Sequence, residues 1–411
     1  MKIKTVHGRS VFDSRGYPTV EAEITTDSGR QARAIVPSGA STGEREAVEL
    51  RDGGALFNGK GVEKAVENII EKIAPAIIGC DITEQRKLDN TLCQLDGTDN
   101  KGFLGANATL AVSLAVAHVA AASQSQPLYT HLNNLFGSAD KLSIPTPMVN
   151  IFNGGSHAAN STAIQEFMLL PNRNTPYRES IFMCAEIFHK LGTLLKQSSY
   201  ATTVGDEGGY APGIRSDEEV LELLSEAVDS AGFELGKDVD FALDVAASEL
   251  VSNGYYQINE QQLTKDEMID WLAKLRQNHP IVSIEDGLDE NDWDGWIQLT
   301  ERLGQNTLLV GDDLLTTNTH YLSQAIDKQA GNAILIKPNQ IGTLTETFAA
   351  IEQARSAGWD YVISHRSGET EDTTISHLAV ATAAPYIKTG STSRGERTAK
   401  YNELLRIAEQ L

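Results

Sequence analysis

Four short apolar runs in the later part of the chain each stop at an ionisable residue. They are Phe241-Ala242-Leu243-Asp244, Ile281-Val282-Ser283-Ile284-Glu285, Leu308-Leu309-Val310-Gly311-Asp312 and Ala333-Ile334-Leu335-Ile336-Lys337. Apolar runs of this length, closed by Gly or Pro signals, read as buried strands. Among them lie Ser216 to Ala231, Lys265 to Gln277 and Thr343 to Ala357, whose apolar residues recur at helical spacing. The alternation predicts βα units. The strand-end residues are 41 (285 minus 244), 27 (312 minus 285) and 25 (337 minus 312) positions apart, which leaves room for a helix at each step. A (β/α) barrel of roughly 250 residues fits this stretch, with its active site where the C-terminal ends of the strands meet.

The front of the chain has a different rhythm. Residues 1 to 36 alternate in the manner of strands, with Val20, Ala22 and Ile24 on one face and Asp27-Ser28-Gly29 as a turn, which predicts a small antiparallel sheet. Ser38 to Gly43 is a loop of small residues, and a helical pattern is expected to restart at Glu44. Helices are expected over Gly61 to Ile73, Thr83 to Leu95 with Thr83 as cap, and Asn107 to Ala122. The last is rich in alanine but interrupted by Asn107, Thr109, Ser113 and His118, so a packed helix is expected there and no transmembrane segment. Gly137-Ser138-Ala139-Asp140-Lys141, followed by Pro145 and Pro147, is the clearest break in composition. It divides the 411 residues into an N-terminal domain, 1–136, and a C-terminal domain, 137–411.

Charge and cysteine content narrow the function. The chain has 34 Lys and Arg against 56 Asp and Glu, a net charge of −22. A surface that acidic repels nucleic-acid backbones and anionic lipid, and an anionic substrate would need a local concentration of cations. Three cysteines, Cys80, Cys93 and Cys184, have no metal-type spacing and suit a reducing compartment. The N-terminus lacks the unbroken apolar core of a secretory signal. The expected location is the cytoplasm.

An acid at the end of one strand is ordinarily a turn residue or a helix cap. Asp244, Glu285 and Asp312 gathered at one end of a barrel are another matter. At about 4 Å each like-charge pair costs about 4 kcal/mol at an effective dielectric near 20, so the cluster must protonate or hold a cation. Oxygen ligands without His or Cys favour Mg²⁺. Strict strand alternation would turn the neighbouring Asp286 and Asp313 the other way. Lys337 near a metal and near Lys388 would have a lowered pKa and suit a general base. Glu207, in the glycine-rich Gly205 to Gly209, and Glu166, in Ile164-Gln165-Glu166-Phe167, are the two candidate acids. Arg366 and Ser367, following His365, offer an oxyanion grip. His157, after Gly154-Gly155-Ser156, reads as a loop or substrate contact rather than half of a Ser/His pair. Metal, lysine base, carboxylic acid and anion grip describe a metal-assisted β-elimination beside a carboxylate.

Five ordered runs carry a family resemblance: Pro37-Ser38-Gly39-Ala40-Ser41-Thr42-Gly43, Gly205-Asp206-Glu207-Gly208-Gly209, Ser283-Ile284-Glu285-Asp286-Gly287, Ile336-Lys337-Pro338-Asn339-Gln340 and Ser364-His365-Arg366-Ser367-Gly368-Glu369-Thr370-Glu371-Asp372-Thr373. Over nearly its whole length the chain resembles the enolase family. The resemblance implies an α/β fold, with a small α+β N-terminal domain before an enolase-type (α/β)8 TIM-like barrel whose second strand is antiparallel. It implies a hydro-lyase that converts 2-phosphoglycerate to phosphoenolpyruvate in glycolysis and gluconeogenesis with two Mg²⁺ per site. Asp244, Glu285 and Asp312 would hold the first ion, and Ser41, on a closing loop, would reach the second. Lys337 would take the C2 proton, and Glu207, helped by Glu166, would protonate the leaving hydroxyl. Substrate contacts would come from His157, Gln165, His365, Arg366, Ser367 and Lys388. A homodimer or higher homo-oligomer is implied, with Glu21 and Arg406 as an intersubunit pair.

The sequence departs from the family pattern at Tyr17, Ala159, Ala163 and His377, two of which lie on the loop after His157. The chain stops shortly after Arg406 and ends on Leu411, so plasminogen binding through a C-terminal lysine is not expected. Two other readings are a dehydratase or racemase acting on a non-phosphorylated sugar acid, and a non-catalytic scaffold. Arg366, Ser367 and the Ser41 loop speak against the first, and the full set of expected catalytic residues against the second.

Overall fold

A computed structural model describes residues 1–39, 43–136, 141–158, 161–259 and 261–411. Ser41 and the 137–140 break therefore lie outside the described residues, as does Ala159. At the front, strands β1 (Ile3–Phe12), β2 (Pro18–Thr26) and β3 (Gln31–Ile35) form the expected antiparallel sheet in the order β1-β2-β3. Val20, Ala22 and Ile24 on β2 are fully buried, and the helix Ala106–Ser123 packs across β2 and β3. That helix is long and apolar enough to cross a membrane, yet most of it is buried inside the protein. Its alanines let the sheet approach closely, while Asn107 and Ser113 bond to neighbouring segments.

The helical expectation fails in two places and holds with a change of pitch in a third. From Glu44 to Asp52 the backbone is irregular, because its groups bond to other segments: Ala47 N–H donates to the Gln340 carbonyl at 2.8 Å and Val48 N–H to Asn100 at 2.7 Å. Thr83 does not cap; its hydroxyl donates to Asp81 at 2.8 Å and the helix Gln85–Asp96 starts two residues later. The helix from Glu63 passes through a π turn at Ile69–Ile73, just before Pro75, which has no N–H to continue an α ladder.

The remaining strands are β4 (Thr146–Asn153), β5 (Glu166–Pro171), β6 (Val239–Asp244), a small meander of β7 (Val251–Ser252), β8 (Tyr255–Ile258) and β9 (Gln261–Leu263), then β10 (Ile281–Glu285), β11 (Leu308–Gly311), β12 (Ala333–Ile336), β13 (Asp360–Ser364) and β14 (Tyr386–Lys388). Eight of them close into a barrel in the order β4-β5-β6-β10-β11-β12-β13-β14. The second strand, β5, is antiparallel to both neighbours and the other six pairings are parallel. Helices Lys265–Asn278 and Leu344–Ser356 lie close to the expected bounds, and Trp293–Leu303, not singled out from the sequence, connects β10 to β11.

Side-chain alternation turns this topology into a site. The barrel interior is filled by Met148, Met168, Leu170, Ala242, Val310, Ala333, Leu335, Val362 and Tyr386. Two residues further along each strand, toward one end of the barrel, the period-2 rule brings Asn150, Asp244, Asp312, Lys337, Ser364 and Lys388 inward. On antiparallel β5 the same end is reached backwards, from Leu170 through Met168 to Glu166. Strand β10 breaks the rule. Val282 faces the interior filling and so would Ile284, but the register shifts between Ile281 and Ser283, and Ile284 packs outside while Glu285 turns in.

Candidate active site

The polar layer at this end of the barrel is a pocket lined by residues that include His157, Gln165, Glu166, Glu207, Asp244, Asp312, Lys337, His365, Arg366, Ser367 and Lys388. Glu285 lies against it through Lys388, whose Nζ donates to Glu285 Oε2 at 2.8 Å and Asp244 Oδ2 at 3.0 Å and sits 3.1 Å from Glu166 Oε1. Lys388 is thus an internal counter-charge for three buried acids, a different setting from the substrate contact that the resemblance implies. Burial together with Asp244 pushes Glu285 up to about 8 in spite of Lys388. Burial works against the Lys388 ammonium, but Asp244, Glu166 and Glu285 raise it well above the ordinary lysine value.

Lys337 forms a short ion pair with Asp312, whose other oxygen accepts from Gln340 Nε2 at 2.8 Å. Burial would lower Lys337 and raise Asp312; the pairing wins in both, so Lys337 is shifted up and Asp312 down. The lowering of Lys337 expected from the sequence is therefore not seen, because Asp312 is closer to it than any cation.

Asp286 and Asp313 do not point away. Asp286 has a left-handed backbone, φ 42°, and its two carboxylate oxygens accept from the backbone N–H groups of Asp312 at 2.9 Å and Asp313 at 2.8 Å. Both aspartates line the pocket, and ligand atoms of Asp286, Asp312 and Asp313 lie within 4.8 Å of one another. Asp313 is pushed up to about 8 by burial and by Asp312. The acids drawn to metal-ligand spacing thus include Asp312 but are otherwise not the expected trio, since Asp244 and Glu285 are spanned by Lys388. The donor set still fits a hard divalent cation, because every one of these groups offers oxygen.

On the other side of the pocket, Asn150 Nδ2 bridges Glu166 Oε2 at 3.0 Å and Glu207 Oε2 at 3.1 Å. The two acids are driven apart in acidity. Burial and the neighbouring Glu207 raise Glu166 well above the carboxylate range. Burial also acts to raise Glu207, but the groups that face it, the Nε2–H edge of His365, His157 and the Arg397 and Lys388 cations, hold it well below. The two neighbouring acids are thus pushed in opposite directions, Glu166 toward its protonated form and Glu207 toward its ionised one. His365 Nδ1 lies 2.6 Å from Arg397 Nη1, which can only donate, so the ring proton is on Nε2, 3.7 Å from Glu207. Burial pushes His365 well down, so the ring is neutral. His157 Nδ1 lies 4.0 Å from Glu207. His157 Nδ1 and His365 Nε2, both on residues that line the pocket, are among the buried side-chain atoms without a hydrogen-bond partner, which leaves polar capacity there.

Gln165 follows the loop that carries His157; its carbonyl side accepts from Ser156 Oγ at 2.8 Å while Nε2 faces Asp244 Oδ2 at 3.5 Å. Arg366 is gripped by Glu46 from the N-terminal domain, with N···O distances of 2.8 and 3.1 Å, and donates to Asn339 Oδ1 at 3.1 Å. Arg397 holds the strand exit by donating to the carbonyls of Arg366 and Ser367, each at 2.6 Å. Glu46, Asn150, Gln340 and Arg397 were not foreseen in the sequence. Two carried a signal: Gln340 ends one of the family runs, and Asn150 is the next inward position after Met148. Of the implied intersubunit pair, Glu21 is held within the chain by Arg9 and Arg33, and Arg406 by Glu403 at 2.8 Å.

Two family models match the chain. The enolase N-terminal domain matches residues 3–132. The enolase C-terminal TIM barrel domain matches residues 141–411.

Proposed function

The chain belongs to the enolase family, and from that premise we propose that it dehydrates 2-phosphoglycerate to phosphoenolpyruvate. The observation that carries the reading is angular. Glu166 stands on the second strand of the ring and Lys337 follows the sixth, so they lie four strands apart in a closed ring of eight, on opposite walls of one pocket. A base and an acid facing each other across the substrate suit removal of a proton and a hydroxyl from opposite faces.

In this reading Lys337 takes the C2 proton. Its ion pair with Asp312 must loosen first, as it would if Asp312 were engaged by a bound cation. Asp244, Glu285 and Asp312 would hold Mg²⁺, with Ser41 at a second ion; bound there, the metal would supply charge stabilisation for the deprotonated carboxylate. Glu207 and Glu166, held side by side by the Asn150 amide, act as a pair, with Glu207 facing the departing hydroxyl and Glu166 beside it as the proton-holding partner. His157, Gln165 and His365 contact the substrate on that side. Arg366 and Ser367 bind its phosphate, with Glu46 orienting the guanidinium, and Lys388 adds positive charge on the carboxylate side. Two Mg²⁺ per site, a domain boundary at 136/137 and a homodimer belong to the same proposal. The test is turnover: with Mg²⁺, 2-phosphoglycerate should give rising ultraviolet absorbance from the conjugated enol, and chelation should abolish it. No turnover with metal present would sink the proposal.

A further inference from the structure

The loop of residues 154–164 carries His157 into the pocket and returns the chain to Gln165 and Glu166. Its two stems are tied to each other: Gly154 N–H donates to the Gln165 carbonyl at 2.8 Å, Gly155 N–H to Thr162 at 3.0 Å, and the Thr162 hydroxyl to the Ile164 carbonyl at 2.9 Å. The Ile164 N–H has another partner. It donates to Asp217 Oδ1 at 3.0 Å, while Asp217 Oδ2 accepts from Asn259 Nδ2, at the turn of the β8–β9 hairpin, at 2.9 Å. Asp217 is the first residue of the helix Asp217–Ser230 and is 1% exposed; capping of that helix falls to Ser216, whose hydroxyl accepts from Glu219 N–H. A buried carboxylate satisfied by an active-site stem on one oxygen and a hairpin on the other is costly to desolvate, and the bonds that repay it are those that hold the stem in place.

We propose that Asp217 is a positioning residue: by pinning Ile164 it fixes the return stem of the 154–164 loop and so the placement of His157 and Gln165. Its kinetic consequence rests on the reaction proposed above; its effect on the loop does not.

The experiment compares wild type, Asp217→Ala, Asp217→Asn and Asn259→Ala by hydrogen–deuterium exchange and by steady-state kinetics with 2-phosphoglycerate. Asp217→Ala should speed exchange across 154–164 roughly tenfold while the helix Tyr177–Gln197 keeps its protection, as expected for one lost buried acceptor. KM should rise several-fold with a smaller fall in kcat, since the loop serves binding more than bond-breaking. Asp217→Asn keeps an acceptor for Ile164 and should restore both; Asn259→Ala should lie between. Loop exchange within about twofold of wild type in Asp217→Ala, or a kcat loss that Asp217→Asn does not rescue, overturns the inference. If Asp217→Ala loses protection everywhere, Asn259→Ala decides: faster exchange confined to the loop supports the pin, and an unchanged loop overturns it. If wild type itself does not turn over, the proposed reaction fails while the exchange data still judge Asp217.

Discussion

Glu285 and Asp286 are adjacent, both are buried, and they do different work. Glu285 is a pocket acid whose charge is met by Lys388. Asp286 is a staple whose two oxygens fix the backbone of Asp312 and Asp313. Substitution should separate the roles. Asp286→Asn sets an amide N–H₂ against one of two backbone donors and should cost about 1–3 kcal/mol in urea unfolding without divalent cations. Glu285→Gln removes a carboxylate that burial already pushes up to about 8, and should cost less in that assay while weakening Mg²⁺ binding. Equal stability losses would show that Asp286 is not a staple. Strict alternation cannot turn two adjacent residues the same way, so from the run Ile281 to Gly287 it predicts at most one of them correctly; the register shift in β10 and the left-handed backbone at Asp286 bring both toward the pocket. A bulge is an extra residue in a ladder, and it becomes visible only when the partner strand is known.

At the scale of elements, the helices Asp217–Ser230, Lys265–Asn278 and Leu344–Ser356 were legible because each buries one face over ten or more residues, as in Lys265–Asn278 with its Thr264–Glu267 capping box. The segment after Glu44 was not, since its backbone partners Asn100 and Gln340 are distant in sequence. The antiparallel run of β5 came only through the family likeness; nothing in Glu166–Pro171 by itself tells which way a strand is laid. A second cross-element contact gives a prediction. His377 stacks on Tyr129, with ring centroids 6.1 Å apart, and its Nε2 lies 3.3 Å from Glu403, joining the helices Leu128–Phe136, Thr374–Ala381 and Gly395–Ala408. The His377 hydrogen bond, with Arg406, outweighs burial and holds Glu403 down to about 2 from its ordinary 4.5. A depressed carboxylate contributes stability above its unfolded value and loses it as pH falls through the folded one. Because the pair is partly exposed, Glu403→Gln should cost less than about 1 kcal/mol at pH 7. The gap between variant and wild type in urea midpoint should shrink as pH falls from 4.5 toward 2. A gap that is constant across that window would remove Glu403 from the account.

For the whole molecule, the net charge of −22 is not spread evenly in its consequences. Surface acids are solvated, whereas at the top of the barrel Glu285 and Asp313 are each pushed up to about 8, chiefly by burial, with a neighbouring acid adding to the shift. An acid whose folded pKa is raised binds its proton more tightly folded than unfolded. Without divalent cations the protein should therefore lose stability as pH rises from the ordinary carboxylate range through about 8. A divalent cation bound to those oxygens would replace the proton and remove that loss. Mg²⁺ without substrate should accordingly raise the melting temperature, and the rise should be larger at pH 9 than at pH 6. At a hundredfold excess over Kd the stabilisation is about 2.7 kcal/mol. Sodium chloride at equal ionic strength should give less, because screening acts weakly on buried charges. The measurement is a pair of melting series across pH, with and without Mg²⁺. A shift that is independent of pH, or matched by sodium, would mean that the buried acid layer is not where the metal binds.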